Sequence, residues 1–578
     1  MLTQMRHDPT IMLELREVSV VSRRAAGEET RLLAALDAHF APGQLHAVVG
    51  PSGCGKSTLL KVIAGVSQPN EGSVHWAGRD LDEHDLAPHE IGYVPQFGIA
   101  FDLLTVGESI ETALRLRVGG LSEEERNARS LHFLAAAGLS EIAERRVGIL
   151  SGGQKRRLAL ALEMVHEPPF LLCDEVTSGL DPKSESEIVH LLHNLARDGR
   201  TVISVTHSLR HLELHDTVTV LYEGRLVYQA APGSLGDYFQ IDNPELLFPT
   251  LSTRSADEWR ELWRVYTLGL PRRDSPEGRA PARPGSAERE PTQFHTPSFA
   301  SQFLTLLSRR WTLFRRNRGQ LALQVALLFG FPCLVVIFAW SGLPQIQNLA
   351  GTSSNALQEL LQTTAFALRS VRVGSLVSGL IMFQVILLTL MGSNNAAREI
   401  AGERAIFEKE KFAGLRAASY VASKVAFLSV LIGAQSLWMG FFVSMICRFP
   451  GDLFSQVVIL GLTNAAMTFV CLAISSISRS AENASLLSVY LVGLQLPLSG
   501  AVLALPQFIG LATRPFIAAY WGWSGYWQTM RDTRFYDFVQ SMSTTELVAF
   551  GLCAWVLGMH IVGGIVVAYL GAQNSRWE

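Results

Sequence analysis

Residues 50–58 read Gly-Pro-Ser-Gly-Cys-Gly-Lys-Ser-Thr, a run suited to gripping phosphate. Gly50, Gly53 and Gly55 let the backbone turn tightly around phosphate oxygens. With Pro51, Ser52, Cys54 and Thr58 they make up the expected nucleotide cradle. A helix opening at Ser57–Val62 would add the positive field of its N-terminus. Lys56 is expected to reach the β- and γ-phosphates, and Ser57 to place its hydroxyl on Mg²⁺. A second acid-bearing site follows the apolar run Phe170–Cys173. There Asp174 is expected to hold Mg²⁺, and Glu175 to take the proton of an attacking water.

Both sets must be presented by strands. Leu45–Val49, Phe170–Cys173 and Val202–Val205 are short apolar runs that alternate with helical stretches. That alternation predicts a largely parallel sheet covered by helices over residues 1–240. The P-loop follows the first of these strands and opens a helix, the context that gives the motif its meaning. Residues 241–300 read as a linker, partly disordered. Its stretch Pro271–Pro291 is rich in Pro, Arg, Glu, Gly and Ser.

Residues 301–578 turn apolar. Six stretches are long enough to span a bilayer: Gln320–Trp340, Gly374–Asn394, Lys424–Cys447, Leu453–Ile477, Ala484–Leu505 and Leu547–Leu570. The 48% of hydrophobic residues and a mean hydropathy of +0.21 fit a membrane-embedded half. Arg309, Arg310, Arg315, Arg316 and Arg318 precede the first span. Arg398, Arg404, Lys409, Lys411 and Arg416 lie between the second and third. The positive-inside rule puts both groups in the cytosol, beside the phosphate-binding half. The basic residues Arg309–Arg318 are expected to meet anionic headgroups. The aromatic segment Pro506–Glu546, with Tyr520, Trp521, Trp523, Tyr526 and Trp527, is expected at the membrane interface.

Several classes are disfavoured. The net charge of −3 gives no field for nucleic acid. The six cysteines show no C-x-x-C spacing, which argues against a zinc site or disulfide framework. Met1–Arg16 has no apolar core of signal-peptide type, so the first half is expected to stay in the cytosol. His560 is the main ionisable group in the spans. Such sparseness argues against a proton relay and favours neutral or apolar ligands.

The motifs taken together resemble the nucleotide-binding domain of an ABC ATPase. Leu150-Ser151-Gly152-Gly153-Gln154 matches that family's signature. Gln96 matches its Q-loop, Ser178-Gly179-Leu180-Asp181 its D-loop, and His207 its switch histidine. The resemblance implies an α/β P-loop ABC ATPase domain followed by an all-α six-helix transmembrane domain. It implies that Gln96 and His207 sense the γ-phosphate, with Gln96 also near the metal. It implies that Ser151, Gly152, Gly153, Gln154 and Asp181 complete the site for ATP held by a second copy of the chain. Unlike many relatives, this sequence has no Phe, Tyr or Trp from Val18 to Leu36 to stack on adenine.

The order, ATP domain before membrane domain, is similar to the G (White) subfamily of half-transporters. Glu399–Glu410, with Tyr420 and Lys424, resembles that subfamily's coupling segment, and Leu498–Leu503 its hydrophobic valve; Phe383 and Gln384 could line a cavity between subunits. The resemblance implies a multi-pass protein of the cell membrane, in contact with the bilayer, that exports a lipophilic or amphipathic substrate as a homodimer. A lipid flippase or extruder, and a mechanotransmitter acting on a partner protein, stay open beside it.

Overall fold

In the computed structural model the described residues are 13–23, 29–81, 83, 86–96, 100–269, 295–350, 363–501, 505–533, 536, 540, 545–575 and 577. The chain forms two compact units. The first holds Met1–Ser298, Lys409–Leu415 and Arg576–Glu578; the second holds Phe299–Glu408 and Arg416–Ser575.

The first unit carries two sheets. One is antiparallel, built from β1 (Leu13–Arg23), β2 (Glu29–Phe40), β4 (Glu71–Trp76) and β5 (Arg79–Asp80) in the order β2-β1-β4-β5. The other contains β3 (Leu45–Val49), β6 (Ile91–Val94), β7 (Phe170–Asp174), β8 (Thr201–Val205), β9 (Thr217–Tyr222) and β10 (Arg225–Ala230). Its order is β10-β9-β3-β8-β7-β6. All its pairings are parallel except β9 with β10. Every residue of β3, β6, β7 and β8 is buried. Near-continuous apolar runs such as Thr-Val-Ile-Ser-Val are what a parallel sheet with both faces covered demands.

This order decides where chemistry can occur. β3, β8, β7 and β6 are consecutive neighbours, so the loops leaving their carboxyl ends share one edge. Those loops carry the P-loop, His207, Glu175 and Gln96.

Two buried histidines make this unit sensitive to acid. His46 is 1% exposed with Nε2 2.9 Å from the Ala41 carbonyl oxygen. His166 is 2% exposed with Nε2 3.1 Å from that of Ile91. Burial pushes both down to about 4. Below an ordinary histidine value near 6.5 the unfolded chain takes up protons that the folded one refuses. Stability is therefore full above pH ~6.5 and falls toward pH ~4, by about 3 kcal/mol for each histidine. Thermal midpoints read by tryptophan fluorescence should decline steadily across that window. A flat profile would show that these histidines are not buried neutral.

The segment predicted as a linker from 241 is in part folded. Leu247–Leu251 and Ala256–Gly269 are helical. Leu247, Leu251 and Trp259 join the core around β9 and β10, and the Trp259 indole donates to the Leu251 carbonyl at 3.0 Å. The Pro271–Pro291 stretch lies outside the described residues.

The second unit is helical. By length and composition, five described helices can cross a membrane: Arg318–Gly342, Val373–Phe412, Ala417–Cys447, Leu453–Ile477 and Phe550–Asn574. The predicted span Ala484–Leu505 is instead a helix over Ala481–Leu498. Its 18 residues reach only about 27 Å, and Glu482 and Asn483 occupy its first turn. A count of six crossings therefore does not follow from helix lengths.

Two expectations for this unit are corrected. Tyr520, Trp523, Tyr526 and Trp527 are at most 1% exposed, within a helix over Ala518–Gln528. They form part of the unit's core with Val377, Ile459 and Leu557 and are not an interfacial belt. Arg309 and Arg310 turn inward, each 8% exposed, instead of facing headgroups. Arg310 donates from Nη2 to Glu399 at 2.8 Å and from Nε at 2.5 Å, with its guanidinium 4.2 Å from the centre of the Phe427 ring. Lys424 reaches the same carboxylate at 3.1 Å and also pairs with Glu403.

Deeper in the bundle, four uncharged amides bind one another. Gln324 donates to Asn395 at 3.0 Å and Asn395 to Gln435 at 2.8 Å. Gln435 returns to Gln324 at 3.0 Å, and Asn464 donates to Gln435 at 3.2 Å. Each amide lies on a different helix. Paired in this way, polar groups hold apolar helices together at little desolvation cost.

Candidate active site

The P-loop closes because of glycine. Gly55 caps the helix Lys56–Ile63 at φ 102°, and a Cβ there would stand 2.6 Å from the Leu32 carbonyl oxygen. Any side chain would be both strained and obstructed. Ser52 and Gly53 are exposed at the loop's crest, whereas Cys54 is buried beneath it; Ser57 and Thr58 are half-buried in the first turn. Lys56 is 5% exposed, and its Nζ donates to the carbonyls of Gly50 and Pro51, each at 2.9 Å. The ammonium is thus held within its own loop, where a phosphate could exchange for two neutral carbonyls.

Asp174 ends β7 and lies against this helix. Its Oδ1 accepts from Ser57 Oγ at 3.1 Å and its Oδ2 from Tyr93 Oη at 3.3 Å. Burial pushes its carboxyl up. The hydrogen bonds from Ser57 and Tyr93 oppose that rise, and the charge of Glu175 adds to it. A cation would offset the cost of keeping the carboxylate charged. A hydroxyl beside a carboxylate is also the hard-oxygen pair that Mg²⁺ accepts. Among the described residues no group of three or more His, Cys, Asp or Glu could hold a metal by itself.

Glu175 collects the remaining predicted groups. Gln96 Nε2 donates to its Oε2 at 2.8 Å, and His207 Nε2 lies 2.6 Å from its Oε1. The three come from the ends of β6, β7 and β8, three neighbouring strands. Glu175 has φ 49°, a left-handed conformation that costs a non-glycine residue about 1 kcal/mol or more. The amide of Glu175 also donates to the Val205 carbonyl at 3.1 Å, which ties it to β8.

The signature residues start another helix. Ser151 caps Gly152–Met164, its Oγ accepting from Gln154 N–H while the Gln154 side chain accepts from Ser151 N–H. Ser151 and Gly152 are exposed and Gly153 is buried. Asp181 caps Pro182–Arg197, accepting from the amides of Lys183 and Ser184 and from the Ser184 hydroxyl. Those bonds hold its carboxyl below the usual range. Within one chain, then, Ser151, Gln154 and Asp181 bond to their own helices, while Ser57 and Asp174 pair with each other and Gln96 and His207 meet at Glu175.

Comparison with known proteins agrees with this geometry. Residues 33–178 match the family "ABC transporter" and residues 301–521 the family "ABC-2 type transporter". The sulfate/thiosulfate import ATP-binding protein CysA of Bordetella pertussis is 34% identical over 264 residues, covering 43% of this chain and 71% of CysA. The chain belongs to the ABC transporters. The ATP-binding/permease protein Rv1747 of Mycobacterium tuberculosis is 28% identical over 542 residues. That alignment covers 89% of this ABC transporter but only 58% of Rv1747, so the chain spans little more than half of that relative. The probable multidrug transporter ATP-binding protein YbhF of Escherichia coli is 37% identical over 218 residues, 37% of each chain. The N-terminal unit of the transporter is thus an α/β ABC ATPase domain that binds ATP, and a helical ABC-2 membrane domain follows it.

Other predicted positions fall out as follows. The segment resembling a coupling element is helical over Arg404–Phe412. Lys409, grouped with the first unit, lies 2.9 Å from Glu163, which also pairs with Arg117 at 3.1 Å. Burial would push the Glu163 carboxyl up, but Arg117 and Lys409 hold it down at about 2. Gln384 is fully buried, so it lines no open face of this chain. His560 Nδ1 lies 2.8 Å from the Val556 carbonyl of its own helix. Val502 and Leu503, at the end of the expected valve, lie outside the described residues. Tyr93 was missed by sequence reasoning. A buried strand tyrosine needs a partner for its hydroxyl, and that need was the available signal.

Proposed function

We propose that this protein hydrolyses ATP to drive a lipophilic or amphipathic substrate out across the cell membrane, as a homodimer. The convergence of Gln96 and His207 on Glu175, beside the P-loop, carries the reading. In this account Lys56 leaves the Gly50 and Pro51 carbonyls for the β- and γ-phosphates. Ser57 and Asp174 would hold Mg²⁺, which would supply positive charge against the phosphate oxygens. Water attacks the γ-phosphorus as the bond to the β-phosphate oxygen breaks, and Glu175 receives the proton. His207 and Gln96 keep that carboxylate aimed at the attacking water.

A second copy completes each site. Ser151 and Gly152 stand exposed at a helix N-terminus, where the first-turn amides can receive a γ-phosphate. One ATP domain and one membrane domain per chain supply half of a symmetric pair, and an isologous dimer is the simplest closure. The apolar helices, with little charge in their middles, suit a cargo that is itself apolar over much of its surface. Six crossings, with the ATP domain in the cytosol, would place the basic segments together. The short helix Ala481–Leu498 would then serve as the fifth.

Vesicles with the ATP domain facing outward test the reading. ATP should drive uptake of a fluorescent lipophilic amine, and a non-hydrolysable analogue should not. ATP turnover without uptake of lipophilic amines or labelled lipids would overturn the assignment of cargo.

A further inference from the structure

Tyr93 is 4% exposed on β6, and its hydroxyl is the donor to Asp174 Oδ2. Since Ser57 serves Oδ1, both oxygens of the carboxylate are held and its plane is fixed. At 3.3 Å the Tyr93–Asp174 bond is longer than the roughly 2.5–3.0 Å usual for a hydroxyl donating to oxygen. A small shift of the ring therefore decides whether it is made.

That ring is braced by another. Trp577 meets Tyr93 edge-on, with centroids 4.8 Å apart and planes at 79°. Phe412 meets Trp577 at 5.7 Å and 58°. Tyr93 is part of the core around β1, β3 and β7, and the rings of Phe412 and Trp577 pack against that core. All of these residues, with Asp174, belong to the first compact unit. The two later rings arrive from a particular direction along the chain. Phe412 ends the helix Arg404–Phe412, and Trp577 lies three residues beyond the helix Phe550–Asn574. The chain enters the first unit from the second at Glu408–Lys409 and again at Ser575–Arg576. Each entry delivers one of these rings.

We propose that Tyr93 is a positioning residue for Asp174, and that Trp577, braced by Phe412, sets the place of Tyr93. The orientation of the metal-holding carboxylate then responds to the two chain segments that leave the membrane domain. This rests on the reading of Asp174 as a Mg²⁺ ligand.

The test uses the full chain with ADP and Mn²⁺, following free Mn²⁺ by electron paramagnetic resonance, so that no turnover is needed. Tyr93→Phe and Trp577→Ala should each weaken Mn²⁺ uptake about fivefold, the worth of one neutral hydrogen bond. ADP affinity in EDTA should be unchanged, and Trp577→Phe should restore the unmutated Mn²⁺ affinity. Unmutated Mn²⁺ affinity in Trp577→Ala would overturn the proposal. Should Trp577→Ala also lose ADP binding in EDTA, Tyr93→Phe decides, and unmutated affinity there overturns it too. Asp174→Asn separates the two readings. If it keeps Mn²⁺, the metal assignment fails; if it loses Mn²⁺ while Trp577→Ala keeps it, only the aromatic stack fails.

Discussion

Glu175→Gln should lower ATP turnover by about 10²–10⁴-fold while leaving ATP binding intact. The amide matches the carboxylate in shape and can still bond to Gln96 and His207, so the site should stay assembled. It cannot accept a proton from water at neutral pH, and the step that needs a base is lost. Lys56, Ser57 and Asp174, which hold the nucleotide in the proposed mechanism, are untouched. Phosphate release and equilibrium binding of a fluorescent ATP analogue, measured on the same preparation, separate the two effects. Turnover near that of the unmutated protein would exclude Glu175 as the base, and loss of binding would recast it as a structural residue. Vesicles carrying this variant should also show no ATP-driven uptake.

Glu399→Gln should be among the most damaging changes in the membrane domain. Two carboxylates, the buried Glu399 and the half-buried Glu403, face two buried cations, Arg310 and Lys424. Neutralising Glu399 leaves a net positive charge where water is scarce. Removing one partner of such a group costs about 3–5 kcal/mol. The companion double variant Glu399→Gln with Lys424→Met restores neutrality and should recover part of the loss. Thermal unfolding in detergent reads both. A single variant as stable as the unmutated chain would show that water already reaches this cluster.

The catalytic half was legible because its motifs are local and chemically demanding. Gly50–Thr58 announces a phosphate cradle from nine consecutive residues, and the acids Asp174 and Glu175 follow directly on a buried strand. Sequence alone did not place Gln96 and His207 against Glu175 itself. That meeting depends on the strand order β8-β7-β6, which no short window contains. Tyr93 escaped for the same reason, since its partner Asp174 lies 81 positions away.

In the membrane half the same residue types can serve opposite ends. Tyr520, Trp523 and Trp527 have the composition of an interfacial belt, yet they fill a core, because burial of an 11-residue helix is decided by its neighbours. Arg309 and Arg310 look like headgroup contacts until Glu399 is placed beside Arg310. Gln324, Asn395, Gln435 and Asn464 went unnoticed because uncharged amides do not stand out in an apolar segment as charges do.

The joined amides of those four helices constrain how the bundle can deform. If one helix slid past the others by a turn, several hydrogen bonds would break together, with no water at hand to replace them. Displacement of all four as one block leaves every bond intact. Ala481–Leu498 contributes none of those amides. Travel of that short helix against the block would spare the amide cluster and break separate bonds, from Arg398 Nε to Ser485 Oγ at 2.6 Å and from Ala519 N–H to Gln495 Oε1 at 3.0 Å.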